Sequence, residues 1–224
     1  MTETQKKESG KPKEREILIP APNFRTLNFH LVGTSPYVQH KFSQKAKEEM
    51  AAAHEAGSKT KKGKKREPRN FTSDYEAATH FSSEGWAGIP AAAFRNGLIS
   101  ACRIVGFAMT RGKLALFASQ DGVDRDDATP LVRIEGQREP LQLHVRNDSG
   151  VVDLRNRPCW KEWTATVRVK YDADMFGDQD VTNLMIRLGE QVGIGEGRPD
   201  SKDSCGLGWG LFRVLPEVEG GRGK

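Results

Sequence analysis

A glycine-rich run near the C-terminus holds the residues best suited to contacting a ligand. Residues 192–210 contain two alternating glycine triplets, with Arg198 and Lys202 between them. Glycines at this spacing let the backbone turn sharply or let a large group come close, and backbone N–H groups beside two cations can meet phosphate oxygens. We therefore expect Gly195, Gly197, Arg198 and Lys202 to contact a sugar-phosphate backbone. A glycine-rich turn that binds nothing is the alternative.

The pattern around this run excludes the common nucleotide-cofactor loops. A dinucleotide fingerprint needs a strand before the glycines and a helix after them, whereas here a helical pattern precedes and a strand pattern follows. The run also lacks the Gly-Lys-Ser/Thr ending of a P-loop. We expect no cofactor.

A basic tract dominates the charge of the chain. Residues 59–69 hold seven cations against the single acid Glu67, while the whole chain has a net charge of +5. These cations are Lys59, Lys61, Lys62, Lys64, Lys65, Arg66 and Arg69. A tract of this kind can neutralise several phosphates without reading sequence. Its alternatives are a solvated loop and a nuclear-localisation-like signal.

Motifs for catalysis and metal binding are weak. The five histidines are scattered, and neither HExxH nor GxSxG occurs, so we expect no catalytic residue and no enzyme. Four aspartates between residues 121 and 127 could hold a divalent cation, but they lack the EF-hand spacing, so a solvated turn is favoured and no metal site is expected. Trp160 and Trp163 stand near arginines and could stack on bases, although paired tryptophans also serve as core anchors.

Hydrophobic periodicity predicts the elements that must position these residues. Alternation predicts strands, and spacing of three and four residues predicts helices. The predicted strands are 25–33, 113–118, 131–134, 141–145, 164–171 and 209–214, and the predicted helices are 43–57, 73–80, 90–105 and 178–192. The order is not a regular βαβα repeat, so an α+β sheet with helices on one face is favoured over a doubly wound fold. Residues 16–216 are expected to form one domain with a basic insertion at about 40–72, between a disordered tail 1–15 and a polar tail 217–224.

Two further features bear on where the protein works. The three cysteines, Cys102, Cys159 and Cys205, are widely spaced, which favours a reducing compartment. No apolar run approaches the length of a membrane span, and the first residues lack an apolar leader. A soluble cytoplasmic protein with no membrane partner is expected.

Three motifs, in this order, resemble the RAMP superfamily of CRISPR-associated proteins, especially the backbone subunits that line guide RNA. They are the strand and turn at 29–37, the Ile-Pro helix entry at 89–98 and the glycine run at 195–210. The resemblance implies a modified ferredoxin-like or RRM-like antiparallel sheet, with helices on one face and a thumb-like insertion at 40–72 or 119–160. It also implies that Arg95 occupies a basic position that contacts RNA. Family members that cut RNA use an Asp after the first strand, and residues 33–40 contain no acid.

The expected function is therefore non-catalytic binding of single-stranded nucleic acid, RNA rather than DNA being favoured. We expect self-association into a helical or filamentous oligomer along the ligand, contacts with other effector-complex subunits, and a phage-encoded origin as one source. The alternatives are a viral structural or assembly protein with no nucleic-acid role, and a metal-dependent ribonuclease using the aspartates at 121–127.

Overall fold

A computed structural model describes residues 19–42, 44–55, 71–146, 152–201 and 206–215. The described chain mixes helices with a curled antiparallel sheet, which confirms the α+β class. The strands are β1 Phe24–Gly33, β2 Tyr37–Val38, β3 Gly88–Pro90, β4 Leu116–Ala118, β5 Gly122–Val123, β6 Pro130–Glu135, β7 Arg138–Arg146, β8 Val152–Trp160, β9 Thr164–Asp172 and β10 Phe212–Leu215. The helices are α1 Gln44–Glu55, α2 Phe71–Ala77, α3 Ala91–Ile104, α4 Met109–Ala115 and α5 Asp178–Arg187, and a π-helical turn, Leu188–Val192, continues α5.

The main sheet has the strand order β10-β1-β9-β6-β3, with β4 paired to β9 and β5 to β6. Its two central strands show the predicted alternation. In β1, Phe29 and Leu31 are buried while His30 is exposed, and in β9 every second residue from Ala165 to Tyr171 is buried. One face of this sheet therefore packs on the core and the other meets solvent.

Helices α3 and α5 supply most of the helical part of the core. Phe94, Leu98 and Cys102 of α3 are fully buried, as the predicted helical spacing requires. Pro90 stands at the N-cap of α3, where its missing N–H costs nothing. Gly106, at φ +74°, follows the C-cap and lets the chain turn out of the helix.

A second, three-stranded sheet has the order β2-β8-β7. Strand β8 was not predicted, because its sequence alternates poorly and its pairing with β7 is what makes it extended. The predicted strand 113–118 is wrong at its start, since residues 113–115 complete α4 and only Leu116–Ala118 are extended. Helix α2 lies on this sheet, where the Tyr75 hydroxyl donates to the Arg138 carbonyl oxygen at 3.2 Å.

Parts of the predicted insertion and both predicted tails lie outside the described residues. Helix α1 confirms the helical stretch that begins the insertion. The basic tract 59–69 and the tails 1–15 and 217–224 are not among the described residues.

Candidate functional site

The glycine run folds into two segments that lie side by side. The Ile194 N–H donates to the Gly210 carbonyl at 3.0 Å, and the Trp209 N–H donates to the Gly197 carbonyl at 3.2 Å. A third bond, from the Glu196 N–H to the Val38 carbonyl at 2.9 Å, ties the run to β2. All six glycines have φ between +65° and +80°, a backbone region that other residues rarely adopt. The glycines are thus required by this local structure.

What comes close to these glycines is the chain itself. A Cβ on Gly210 would overlap the Ile194 carbonyl oxygen, and one on Gly197 would lie 2.5 Å from the Trp209 ring. Gly206 and Gly208 differ, because nothing lies within 4 Å of the positions their Cβ atoms would take. The alternative of a packed glycine turn therefore accounts for the close approaches, while the outer surface of the run stays available to a ligand.

That outer surface lines a groove of about 830 Å³. We call it the glycine groove. Its walls come from three places: one face of α3 with Asn96 and Ser100, the run itself with Arg198, and the second sheet with His144 and Arg155. The groove therefore joins residues as far apart in sequence as Tyr37 and Trp209, and it contains the predicted Gly195, Gly197 and Arg198.

Two acids and two arginines supply the charges in the lining of the glycine groove. Its two acidic side chains are bound by arginines: Glu196 lies 2.7 Å from Nε of Arg157, and Asp200 lies 2.6 Å from Arg103. Burial opposes ionisation of Asp200, but hydrogen bonds from Ser100 and Arg103 outweigh it and lower its pKa. The other two charged side chains in the lining are Arg155 and Arg198.

Arg198 is held in place by the run. Its Nη1 donates to the Gly195 carbonyl oxygen at 3.0 Å, and the side chain is half-buried. One hydrogen bond uses only part of the five-donor guanidinium. The fixed fork can accept a planar anion such as a phosphate with little loss of side-chain freedom.

Three of the five histidines also line the glycine groove: His40, His80 and His144. Burial lowers the pKa of His80, and the nearby Lys41 ammonium adds to this, against the hydrogen bond to Asp124. Partial burial, followed by the charge of Arg157, lowers the pKa of His40. Both imidazoles are therefore neutral near pH 7 and become cationic only under acid conditions.

A buried charge network lies behind His80. The Lys41 Nζ lies 2.8 Å from Asp124 and 2.6 Å from Asp126, and the second oxygen of Asp124 lies 2.7 Å from Nδ1 of His80. Lys41 and Asp124 are only 5% and 2% exposed. We call these four residues the Lys41 network. It fastens the segment after β2 to the loop at 121–129 and fixes the ring of His80 beside the groove.

The acidic cluster of the ribonuclease alternative is largely occupied by protein cations. Donor atoms of His80, Asp124 and Asp127 lie within 4.8 Å of one another, a spacing that a metal could use. However, Lys41 already neutralises Asp124, and Lys47 lies 2.7 Å from Asp127. Hydrogen bonds from Lys47 and Thr129 hold the pKa of Asp127 well below its usual range. These carboxylates are thus stabilised without an added cation.

The structure does not bring Arg95 to the glycine groove. The Arg95 guanidinium donates to the carbonyl oxygens of Lys113 and Leu116 at 2.6 and 3.1 Å, and it lies over the Phe117 ring. It is engaged beside α4 and β4, whereas Arg198 lines the groove with another face of α3. Of the two arginines that were expected to contact RNA, only Arg198 therefore lines this groove.

Two other groups of predicted residues lie outside the described residues. They are Lys202 and the basic tract, Lys59, Lys61, Lys62, Lys64, Lys65 and Arg66.

Trp160 and Trp163, by contrast, are buried at 1% and 2% exposure and serve as core anchors rather than stacking platforms. The Trp163 indole N–H donates to the Ser35 carbonyl at 2.9 Å.

Sequence reasoning missed several groove residues. His144 lies on β7 and Arg155 on the paired strand β8, and only that pairing brings them to the glycine run. Trp209 was read as the start of a strand, yet it is half-buried on Gly197 and lines the groove. The available signal for Trp209 was its position between Gly208 and Gly210, where an aromatic ring has no neighbouring side chains.

Comparisons with known proteins add no family. No protein-family model matches this chain, and a search of curated proteins gives no significant match. Among the described residues, no helix is long and apolar enough to cross a membrane.

Proposed function

We propose that this protein binds single-stranded nucleic acid, with RNA as the favoured ligand, and that the strand follows the glycine groove. In this proposal the protein is not a catalyst and works in the cytoplasm. Several copies assemble along one strand into a helical or filamentous oligomer, and other subunits of an effector complex join them.

One observation carries the proposal: Arg155 and Arg198 line the same groove as the glycine run, although distant elements supply them. Phosphates need fixed cations and hydrogen-bond donors, and the forked guanidinium of Arg198 is held by the Gly195 carbonyl. The pairing of Glu196 and Asp200 with other arginines removes the acidic charge that would repel a polyanion.

The lining also offers contacts for the sugar and base. Asn96 and Ser100 present polar side chains from α3, and Trp209 adds an aromatic ring. Bases stack on aromatic rings without regard to sequence, while side-chain amides and hydroxyls can bond to ribose. Such a lining suits sequence-tolerant binding of an unpaired strand.

The topology supports a ferredoxin-like or RRM-like arrangement within the proposal. The order β1, α3, β6, β9, α5, β10 along the chain follows the β-α-β-β-α-β pattern, and four of these elements form the contiguous path β10-β1-β9-β6. In this arrangement the paired strands β7 and β8, within the predicted region 119–160, take the role of the thumb in place of residues 40–72.

A titration of labelled single-stranded RNA tests the proposal. An RNA of about 20 nucleotides exceeds the roughly 4–16 nucleotides that a single domain covers. We expect Arg155→Ala/Arg198→Ala to weaken binding at least about tenfold, because each lost charge-assisted bond is worth about 1.5–3 kcal/mol. The slope of log K against log salt should fall by about 1.4, since each phosphate contact on a single strand contributes about 0.7.

The matched control is Arg25→Ala/Arg133→Ala, which removes the same charge from outside the groove. Both side chains are more than half exposed. If the control weakens binding as much as the groove variant, the effect is one of net charge. If neither variant changes affinity or slope, the groove is not the contact. An absence of binding by the wild-type protein would favour the structural or assembly role.

Cleavage during the same titration would favour the ribonuclease alternative. Intact RNA after incubation with Mg²⁺ or Mn²⁺ supports the non-catalytic proposal. If RNA is cut, Asp124→Asn and Asp127→Asn distinguish the metal cluster from a contaminating nuclease, because only a real metal site loses activity in both variants.

A further inference from the structure

A second groove, of about 800 Å³, lies between the residues that follow α3 and helix α5, and it has no role in the proposed function. We call it the α5 groove. Phe176 and Leu184 form its buried floor, and half-buried Phe107, Met175 and Ile186 extend the apolar surface. Its polar rim comes from α5 and the π-helical turn, with Asp180, Arg187 and Glu190. An apolar surface with a polar rim is the usual anatomy of a protein interface.

An apolar segment of the same chain ends beside this groove. Ile19, Pro20, Ala21 and Pro22 are all exposed, and Ile19 is 83% exposed. The sequence before them continues with Glu16-Ile17-Leu18, so three large apolar residues stand in a row. We call residues 16–22 the arm.

The base of the arm is fixed to one end of the α5 groove. The Ala173 N–H donates to the Asn23 carbonyl at 2.8 Å, and the Asn23 amide donates to Asp174 at 3.3 Å. Met175 and Phe176 of the groove follow two and three residues later. The described part of the arm nevertheless leaves the apolar surface beside it uncovered, with Ile19 in solvent.

Two prolines stiffen the described part of the arm, residues 19–22. Pro20 and Pro22 have a fixed φ, and each restricts the preceding residue, Ile19 or Ala21, to extended conformations. In the described residues 19–22 these restraints agree with the exposure of every side chain. Because this stiffened part leaves the groove at its own base uncovered, a groove on a neighbouring molecule suits the apolar residues better.

We propose that the arm of one copy docks in the α5 groove of a second copy, with Ile17, Leu18 and Ile19 on the apolar floor. Arg15 and Glu16 directly precede the apolar residues, so each can meet an opposite charge on the rim, which carries Asp180, Glu190 and Arg187. The contact does not require nucleic acid, so it can be tested separately from the proposed function.

Sedimentation of nuclease-treated protein at high salt tests this exchange. We expect the wild-type chain to associate in proportion to concentration. Two variants should sediment as single chains: Ile17→Ser/Leu18→Ser/Ile19→Ser, which removes the apolar arm, and Ile186→Glu, which buries an unpaired carboxylate at the groove. Val152→Ser, at a residue that is 55% exposed and outside the groove, should associate like the wild type.

Mixing the two defective variants gives the decisive result. The arm variant keeps an intact groove and the Ile186→Glu variant keeps an intact arm, so the mixture should form a complex that neither forms alone. Circular dichroism checks that both variants remain folded. A wild-type protein that stays a single chain, variants that still associate, or a mixture that shows no complex would each overturn the proposal. If the wild-type protein is a single chain and Ile186→Glu increases protease cleavage of its arm, the arm docks within one molecule instead.

Discussion

The Lys41 network gives the sharpest prediction for stability. Replacing Lys41 by Met leaves Asp124 as a carboxylate that is 2% exposed and has lost its only ammonium partner among the described residues. Burial opposes ionisation of Asp124, and it is Lys41, the Asp126 N–H and His80 that lower its pKa in spite of this. Removing Lys41 therefore leaves the cost of burial in place and takes away the largest compensating contact.

The expected loss is large relative to the stability of a small protein. Breaking a buried ion pair from one side costs about 3–5 kcal/mol, against a total free energy of unfolding of about 5–15 kcal/mol. Urea denaturation followed by circular dichroism measures it. Lys47→Met is the matched control, because its ion pair with Asp127 is 37% and 22% exposed and should be worth at most about 1 kcal/mol.

The outcome for a double variant completes the reasoning. Lys41→Met/Asp124→Asn removes both charges, so we expect it to be more stable than Lys41→Met alone. A loss below about 1 kcal/mol for Lys41→Met, or no recovery in the double variant, would refute the view that an unpaired buried charge causes the effect.

Two further predictions concern pH and the glycine run. Folding lowers the pKa of His80 and that of His40, so the folded chain binds fewer protons than the unfolded chain as the pH falls. The free energy of unfolding, measured with urea, should therefore fall between about pH 7.5 and about pH 5.5. The slope should be at most about 1.4 kcal/mol per pH unit for each histidine. His80→Gln should flatten that dependence, and an unchanged profile would contradict it. Gly210→Ala should lower the free energy of unfolding by more than Gly208→Ala, since both have φ near +70° but only Gly210 adds overlap with the Ile194 carbonyl oxygen. Equal losses of about 1 kcal/mol in the two variants would show that backbone conformation alone matters.

Local pattern was enough to predict the elements that bury one regular face. The alternation in β1 and β9 and the helical spacing in α3 all correspond to observed burial. Strand β8 was not predicted because Asn156 and Arg157 are buried in it, and buried polar residues interrupt the alternation that indicates a strand. Residues 114–118 form a continuous apolar run, which is typical of a buried strand, yet Leu114 is 69% exposed on α4 and only Leu116–Ala118 are extended.

The site was predictable in part for the same reason. The glycine run is a local feature, so its place and the position of Arg198 beside it could be read from the sequence. The Lys41 network could not, because 83 residues separate Lys41 from Asp124 and 44 separate His80 from Asp124. Arg95 shows the opposite problem: its helix was predicted, but its orientation depends on the carbonyl groups that α4 offers.

Photo-crosslinking to a uridine-containing single-stranded RNA, followed by mass spectrometry, tests the central claim most directly. Crosslinks should fall on peptides that line the glycine groove, around Trp209 and residues 193–198 and on β8 near Arg155. Duplex RNA should compete poorly, because a strand that enters the groove must be unpaired. Crosslinks confined to the basic tract 59–69 or to the open face of the main sheet, with none in the groove, would contradict the account.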